Sequence, residues 1–472
     1  MTNPGTSTSD GVAISGTDPT ALASYDAALD DLLHFRATVT DVNEAALAAD
    51  PDLVLARALQ GYLGLLGTES DDAANADLVF NDWLATQDGR SFTPVERGHV
   101  AALGAWVKGD MRAAGKVLRE VSIVEPRDAL ALAVGHQIDF LSGDAANLRD
   151  RVGGALTAWV PEDPHRSLLL GMYAFGLEEC GDYGLAREVG SFAVEADPRD
   201  VWGIHAVTHT FEMQAEFGAG TRFLVQRQSD WADANFLSVH NWWHRCLYLL
   251  ESGQTDAALA IYDAWIHNAS SGVVVMELLD AAALLWRLNL EGDDQTERWS
   301  ALADVWAGRS DTAYYSFNDM HAVMSYVGAG RIAEAERLVA LRERWLADGP
   351  SESITNVAMT RDVGLPICRA ILDFGRARYD DVVAALLPLR YRFNEFGGSH
   401  AQRDAVQRTL LEATLRSGRH DLARTLLSER SNLRPGSPYN WLKRAELAES
   451  LGRAAAAATD RLRAQELAAA GR

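Results

Sequence analysis

DPRDVWGIHAVTHTFEMQAEFG, residues 197–218, is the stretch on which the reading of this chain turns. It opens with a proline, closes in a turn and keeps a helical period between the two, so it reads as one helix with its own start and stop signals. Trp202, His205, His209 and Glu212 follow 3,4,3 spacing and share one stripe. Ile204, Thr208, Phe211 and Ala215 form a second stripe suited to packing on a neighbouring helix. Residues 234–253, ANFLSVHNWWHRCLYLLESG, repeat the arrangement with His240, His244, Leu247 and Glu251, flanked by Asn241 and Trp243. His205 to His240 and His209 to His244 are each 35 residues. That spacing is the period of a helix–turn–helix repeat array, in which equivalent positions of successive repeats face one groove.

The same period runs along the chain. Glycines interrupt the helical pattern at Gly109, Gly143, Gly181, Gly218, Gly253, Gly292 and Gly330, at intervals of 34–39 residues, and again at Gly375, Gly418 and Gly452. Glycine suits the tight turn inside a repeat. Pro51, Pro126 and Pro198 stand at the mouths of helices, where a missing N–H costs nothing. No stretch alternates long enough to propose a sheet. The expectation is an all-α, tetratricopeptide-like α-solenoid over residues 19–472 as one continuous domain, preceded by a disordered polar leader at residues 1–18.

A chain of 472 residues exceeds what one compact core sustains, and a repeat array escapes that limit because each unit packs only on its neighbours. The formal charge of −23 opposes a phosphate backbone, and no basic run relieves it, so nucleic acid is not expected as a partner. Cys180, Cys246 and Cys368 are scattered and odd in number, which favours a reducing compartment over a disulfide framework. The leader lacks the basic start and apolar core of a signal peptide, and no run reaches the ~18 apolar residues of a membrane span. A cytoplasmic protein without membrane contact is expected; a homodimer is compatible with such an array.

Neighbouring helix axes lie ~8–10 Å apart, so side chains from the two histidine helices can meet across one ligand or ion. His205, His209, His240 and His244 are candidate ligands for a divalent metal such as zinc, iron or manganese, and equally candidates for acid–base chemistry. HAVTH lacks the glutamate of an HExxH metalloprotease helix. The plain alternative is that these are hydrogen-bonded packing residues. His321 stands 77 residues after His244, close to two repeats, with Asn318 and Asp319 just before it, and is expected in the same groove. Glu212 or Asp319 would complete a metal shell or orient the imidazoles.

With these segments placed, the chain resembles the tetratricopeptide repeat protein 38 family. The strings that carry the resemblance are YDAALDDLL from Tyr25, ADPDLVLARAL, GMYAFGLEE, WGIHAVTHTFEM, HNWWHRCLYLLE, FNDMHAVM, RDVGLP, LLPLRYRF and GGSHAQRD, in family order across almost the whole chain. The resemblance implies an α-solenoid whose signature gathers in the central groove, without assigning a reaction. Arg403 and Asp404 match its pattern, whereas animal members carry asparagine at the position of His400.

Arg390, Arg392 and Arg403, with Arg361, supply positive charge that can fork onto a ligand carboxylate or phosphate, or pair internally with acids such as Asp404 and Asp362. Trp202 and Trp243 flank the histidine stripes and suit the wall of a small-molecule pocket. Nucleotide and serine-hydrolase motifs are absent. The expected function is a small-molecule enzyme of hydrolase, lyase or hydratase type. His205, His209, His240, His244, Asp319 and His321 would carry the chemistry, with Trp202, Glu212, Asn241, Trp243, Asn318, Arg390, Arg392, His400, Arg403 and Asp404 around the substrate. The alternative is a scaffold for a partner peptide, or a non-catalytic metal or metabolite binder.

Overall fold

The structure is a computed structural model that describes residues 6–272 and 274–471. From Pro19 to Ala470 the chain runs as antiparallel helix pairs, an inner helix followed by an outer one. The inner helices that build the interior are α1 (Pro19–Leu33), α2 (Ala129–Leu141), α3 (Arg166–Glu179), α4 (Val201–Met213), α5 (Ser238–Glu251), α6 (Val275–Leu290), α7 (Ser316–Gly328) and α8 (His400–Arg416). From α1 to α7 each packs on the next of this set, and α8 packs back on α6, so the array is an α-solenoid of the tetratricopeptide kind.

Local chemistry sets the punctuation. In the Gly109–Asp110, Gly143–Asp144 and Gly181–Asp182 pairs, glycine takes a positive φ and the aspartate caps the outer helix that follows. Asp128 and Asp200 cap α2 and α4 in the same way. Pro126 and Pro198 therefore stand in the connecting turn, two residues ahead of the caps. Gly218 and Gly375 are not turn residues, contrary to expectation; Ala215 and Ala377 take the left-handed conformation instead, at φ of 58° and 56°. Those two glycines permit close packing. A Cβ on Gly218 would meet the backbone of Ala470, and one on Gly375 would press into Val327.

The polar leader is not a free tail across its described part. Thr6–Ser7 and Ala13–Ile14 pair as a short antiparallel hairpin, and Val12 and Ile14 are buried. Asp10 meets His165 at 2.9 Å, and the Ser15 hydroxyl donates to Glu96 at 2.6 Å. Two apolar side chains among the threonines and serines, together with one buried aspartate, suffice to dock it. Residues 1–5 lie outside the described residues.

The solenoid also closes on itself. The turn after α1 meets the turn before α5 through an antiparallel bridge between Arg36 and Asn235. The Tyr315 hydroxyl donates to Leu141 O at 2.9 Å, and Thr355 N donates to Gly109 O at 2.9 Å. Asn394 Nδ2 reaches Gly143 O at 3.1 Å. Coils more than 150 residues apart thus touch, and the groove of an open superhelix becomes an interior chamber.

Candidate functional site

α4 lies between α3 and α5, and α6 follows α5 across the interior. The 3,4 stripe of α4 therefore faces that of α5, and four imidazoles converge. Ring centroids stand 4.4 Å apart for His205–His209 and for His209–His244, 4.9 Å for His205–His240 and 4.8 Å for His240–His244. One ring nitrogen from each of the four can be chosen so that all lie within 4.8 Å of one another. A tetrahedral shell with ~2.1 Å bonds needs about 3.4 Å between ligand atoms, so binding an ion would draw the widest pair together by about 1.4 Å.

Three carboxylates stand behind the rings. Asp280, in the second turn of α6, lies 2.8 Å from His240 Nδ1; Glu212, in the last turn of α4, lies 2.9 Å from His244 Nδ1. Glu178, in the last turn of α3, lies 3.5 Å from His209 Nδ1. Nδ1 of these three rings thus faces an acid, which leaves Nε2 for the space between them. No lysine or arginine forms an ion pair with any of these acids among the described residues. Glu178, Asp280 and Glu212 are nonetheless buried, at 0, 2 and 5% exposure.

Burial and the neighbouring imidazoles push His205 and His244 well below the ordinary histidine value, so both are neutral, the form that ligates metals. Burial also works against charge on His209, but Glu178 outweighs it and raises that group. Among the described residues, neither nitrogen of His205 has a hydrogen-bond partner, nor has Nε2 of His209 or His244, and His209 Nδ1 has only the long Glu178 contact at 3.5 Å. Asn241 is fully buried with both amide atoms equally unmet. So many orphaned polar atoms in one place call for a bound species.

Two of the four, His205 and His240, reach the floor of a chamber of about 270 Å³, and His209 and His244 do not line it. His205 and His240 border it, and the His240 side chain is 15% exposed against 0% for His209 and His244. Trp202 forms one wall and stacks on Phe35, 5.0 Å away and 2° from parallel. Trp243 is buried beneath, stacked on His240 at 5.1 Å.

His400 and Arg403, at the start of α8, approach from the far side. His400 Nδ1 is 3.8 Å from Glu178 and 3.6 Å from Glu179, and Arg403 donates to Glu179 at 2.9 Å. Glu178, Glu179 and His400 are close enough to form a second potential ligand group, but Arg403 already holds Glu179.

Other expected site residues lie elsewhere. His321 is buried on Phe317, its Nδ1 2.8 Å from the Phe317 carbonyl, and burial pushes it down to about 4. It is not among the grouped imidazoles, because α7 follows α6 and not α5, so two repeats of offset carry it past the quartet. Asp319 is paired with Arg342 at 2.7 Å, and Asn318 donates to Thr68 O at 2.9 Å; both border a separate polar cleft. Arg390 donates to Leu387 O and Arg392 pairs with Glu395 at 2.6 Å, both at the surface. They are not anchors for a ligand in the chamber. Arg361 likewise pairs with Glu352 and Asp362. Asp404 is buried; burial opposes its charge, but Arg430, Arg408 and Arg434 hold it well below the usual carboxylate range. It is a structural ion-pair hub.

Sequence reasoning missed Glu178, Asp280 and Arg287. Glu178 and Glu212 are 34 residues apart, one repeat, and that recurrence at the end of successive inner helices was the available signal. Arg287 is buried over the Trp243 face at 5.4 Å, and its Nη2 donates to Ala401 O at 2.6 Å.

No protein-family profile matches the chain. Among solved structures, the human IFIT1 dimer with PPP-AAAA superposes with a TM-score of 0.41 at 11% identity, over 96% of each chain. The APC/C hetero-tetramer Cut9–Hcn1 gives 0.29 at 12% identity, over 95% of this chain and 93% of that one. The human IFIT1 dimer with m7Gppp-AAAA gives 0.31 at 12%, over 85% and 96%. Likeness at this level concerns helical-repeat architecture alone. Among the described residues, no helix is long and apolar enough to cross a membrane.

Proposed function

We propose that this chain is a metal-dependent small-molecule enzyme, with a divalent first-row ion held by His205, His209, His240 and His244 at the floor of the chamber. The observation that carries the reading is the charge inventory. Three buried carboxylates stand behind four imidazoles, two of them held neutral, and the raised His209 answers Glu178. Among the described residues no arginine or lysine forms an ion pair with the three acids, Arg434 and Arg287 acting on Glu212 only from beyond ion-pair distance. An uncompensated buried charge is costly, and a divalent cation would balance this set. The pairing of a carboxylate with the outer nitrogen of a ligating histidine fixes the tautomer and strengthens the ligand. All-imidazole shells suit zinc, copper, iron and nickel, which replaces manganese as an expectation. Four imidazoles fill a tetrahedral shell, so Lewis acidity toward a carbonyl or water, as in hydrolase, lyase or hydratase chemistry, would require a fifth position on the side of His205 and His240 that borders the chamber.

The second reading, a scaffold for a partner peptide, is supported by the repeat architecture. Contacts such as Tyr315 with Leu141 and Thr355 with Gly109 cross between distant coils, and we place the metal-centre reading first on the four grouped imidazoles. We also place the chain beside the tetratricopeptide repeat protein 38 family, on the ordered strings alone, and in a reducing compartment such as the cytoplasm, on three unpaired cysteines.

Elemental analysis of protein purified without a histidine tag tests the reading. About one equivalent of a first-row metal is expected, falling below a tenth in His209→Ala and His244→Ala that remain folded by circular dichroism. Metal-free protein that takes up added zinc or iron no better than these variants would refute it.

A further inference from the structure

The chamber wall selects by charge. Among the described residues, no lysine or arginine borders it. The acids that do are Glu277 and Asp280, and Asp280 is already held by His240. The remainder is mostly apolar: Leu32, Val134, Phe140 and Met172 with Trp202 and Phe35. An anion entering here would give up its hydration, find no basic side chain and face Glu277. The divalent ion proposed at the floor sets its double positive charge against the three carboxylates behind the imidazoles. A cation would be stripped of water by the same walls, with its one fully buried acid already engaged.

The entrance has the same character. Phe35 and Phe236 border the chamber, Phe236 is 53% exposed, and Phe236 N donates to Phe35 O at 2.9 Å across the rim. Phe35 adopts φ of +57°, a conformation that bulky residues rarely take and that over-determined contacts must hold. That backbone turns its ring onto the face of Trp202, 5.0 Å away. Phe35 covers Trp202, which is 3% exposed, so the aromatic surface left to a ligand is that of Phe35 and Phe236 at the rim, and it favours a flat, apolar molecule.

We infer that the substrate is an uncharged, largely apolar small molecule with a planar group, admitted past Phe35 and Phe236 to the His240 edge of the floor. This rests on the small-molecule reading of the chamber, and it excludes the anionic substrate that a groove rich in arginine would have taken. Within metal-assisted chemistry it directs attention to neutral esters, amides, ketones and epoxides, and away from phosphates and free acids.

The test uses the full chain as isolated and three probes of similar shape: 2-acetylnaphthalene, 2-naphthoate and 2-naphthylmethylammonium, followed by calorimetry. The neutral ketone is expected to bind at least about tenfold more tightly than either ion. Thr40→Trp, at an exposed position on the chamber border, should weaken the ketone about tenfold or more. Glu277→Lys should strengthen 2-naphthoate about tenfold while changing the ketone little. Equal or tighter binding of either ion to wild type, or ketone binding indifferent to Thr40→Trp, overturns the inference. Metal content is measured on the same samples. A metal-free protein that still prefers the ketone would sink the metal centre and spare the substrate class. A metal-loaded protein that prefers an ion would do the reverse.

Discussion

Glu212 and Asp280 are each a single hydrogen bond away from an imidazole, and at the residue scale they separate a ligand set from a packing cluster. If His240 and His244 serve a metal, the acids behind them tune it. Glu212→Gln and Asp280→Asn should then each weaken metal affinity roughly 10–100-fold with the fold intact, measured by competition with a chromogenic chelator. If the histidines only pack, both variants change thermal stability and leave metal uptake alone. His321 is the internal control. Its ring is buried against Phe317 outside the quartet, so His321→Ala should keep the wild-type metal content while losing stability by roughly 2–4 kcal/mol, as truncation of a buried ring does. The quartet was legible because two pairs at one offset share both a helix face and a repeat position. His321 misled because two repeats of offset preserve the face but not the neighbour.

At the scale of elements, the N-terminal hairpin depends on a titratable clasp. Burial alone would lower His165, but Asp10 and Asp30 outweigh it and raise it to about 9, from an ordinary value of 6.5. A group raised on folding stabilises fully below its unfolded value and loses that contribution as pH rises through the folded one. The clasp is therefore complete below about pH 6.5 and released as pH passes about 9, a difference on the order of 3 kcal/mol. Hydrogen exchange of residues 8–14 should lose protection between those limits in wild type. In His165→Gln the protection should be lower and flat with pH; an unchanged pH profile in that variant would refute the clasp. This segment was illegible because its composition is that of a solvated tail. Its docking depends on Asp10 finding His165, a partner 155 residues away.

At the scale of the molecule, periodicity reveals the stacking of neighbours and is silent about what the ends of the stack touch. The closure contacts pair Gly109 with Thr355, Gly143 with Asn394 and Leu141 with Tyr315, all between coils that are not neighbours in the stack. Gly143 tests closure most sharply, since it combines a φ of +69° with the Asn394 carbonyl where a Cβ would stand. Gly143→Ala should cost about 2 kcal/mol or more by denaturant unfolding and should expand the particle in small-angle scattering. Gly181→Ala is the comparison: it shares the positive φ, but nothing stands near its missing Cβ, so it should lose only the backbone part. Equal losses would mean that the coils do not depend on that contact. The misplacement of Arg390 and Arg392 has the same origin. Their acid partners, Glu395 and Glu429, lie on the outside of a closed ring, and only the ring tells inside from outside.

The most direct measurement is X-ray absorption at the metal edge, on full-length protein isolated without a tag. Four nitrogen neighbours at about 2.0–2.1 Å with the outer-shell scattering of imidazole are expected, and that pattern should be lost in His205→Ala. A sample with no metal edge, or a shell dominated by sulfur or by oxygen alone, would contradict a four-histidine centre.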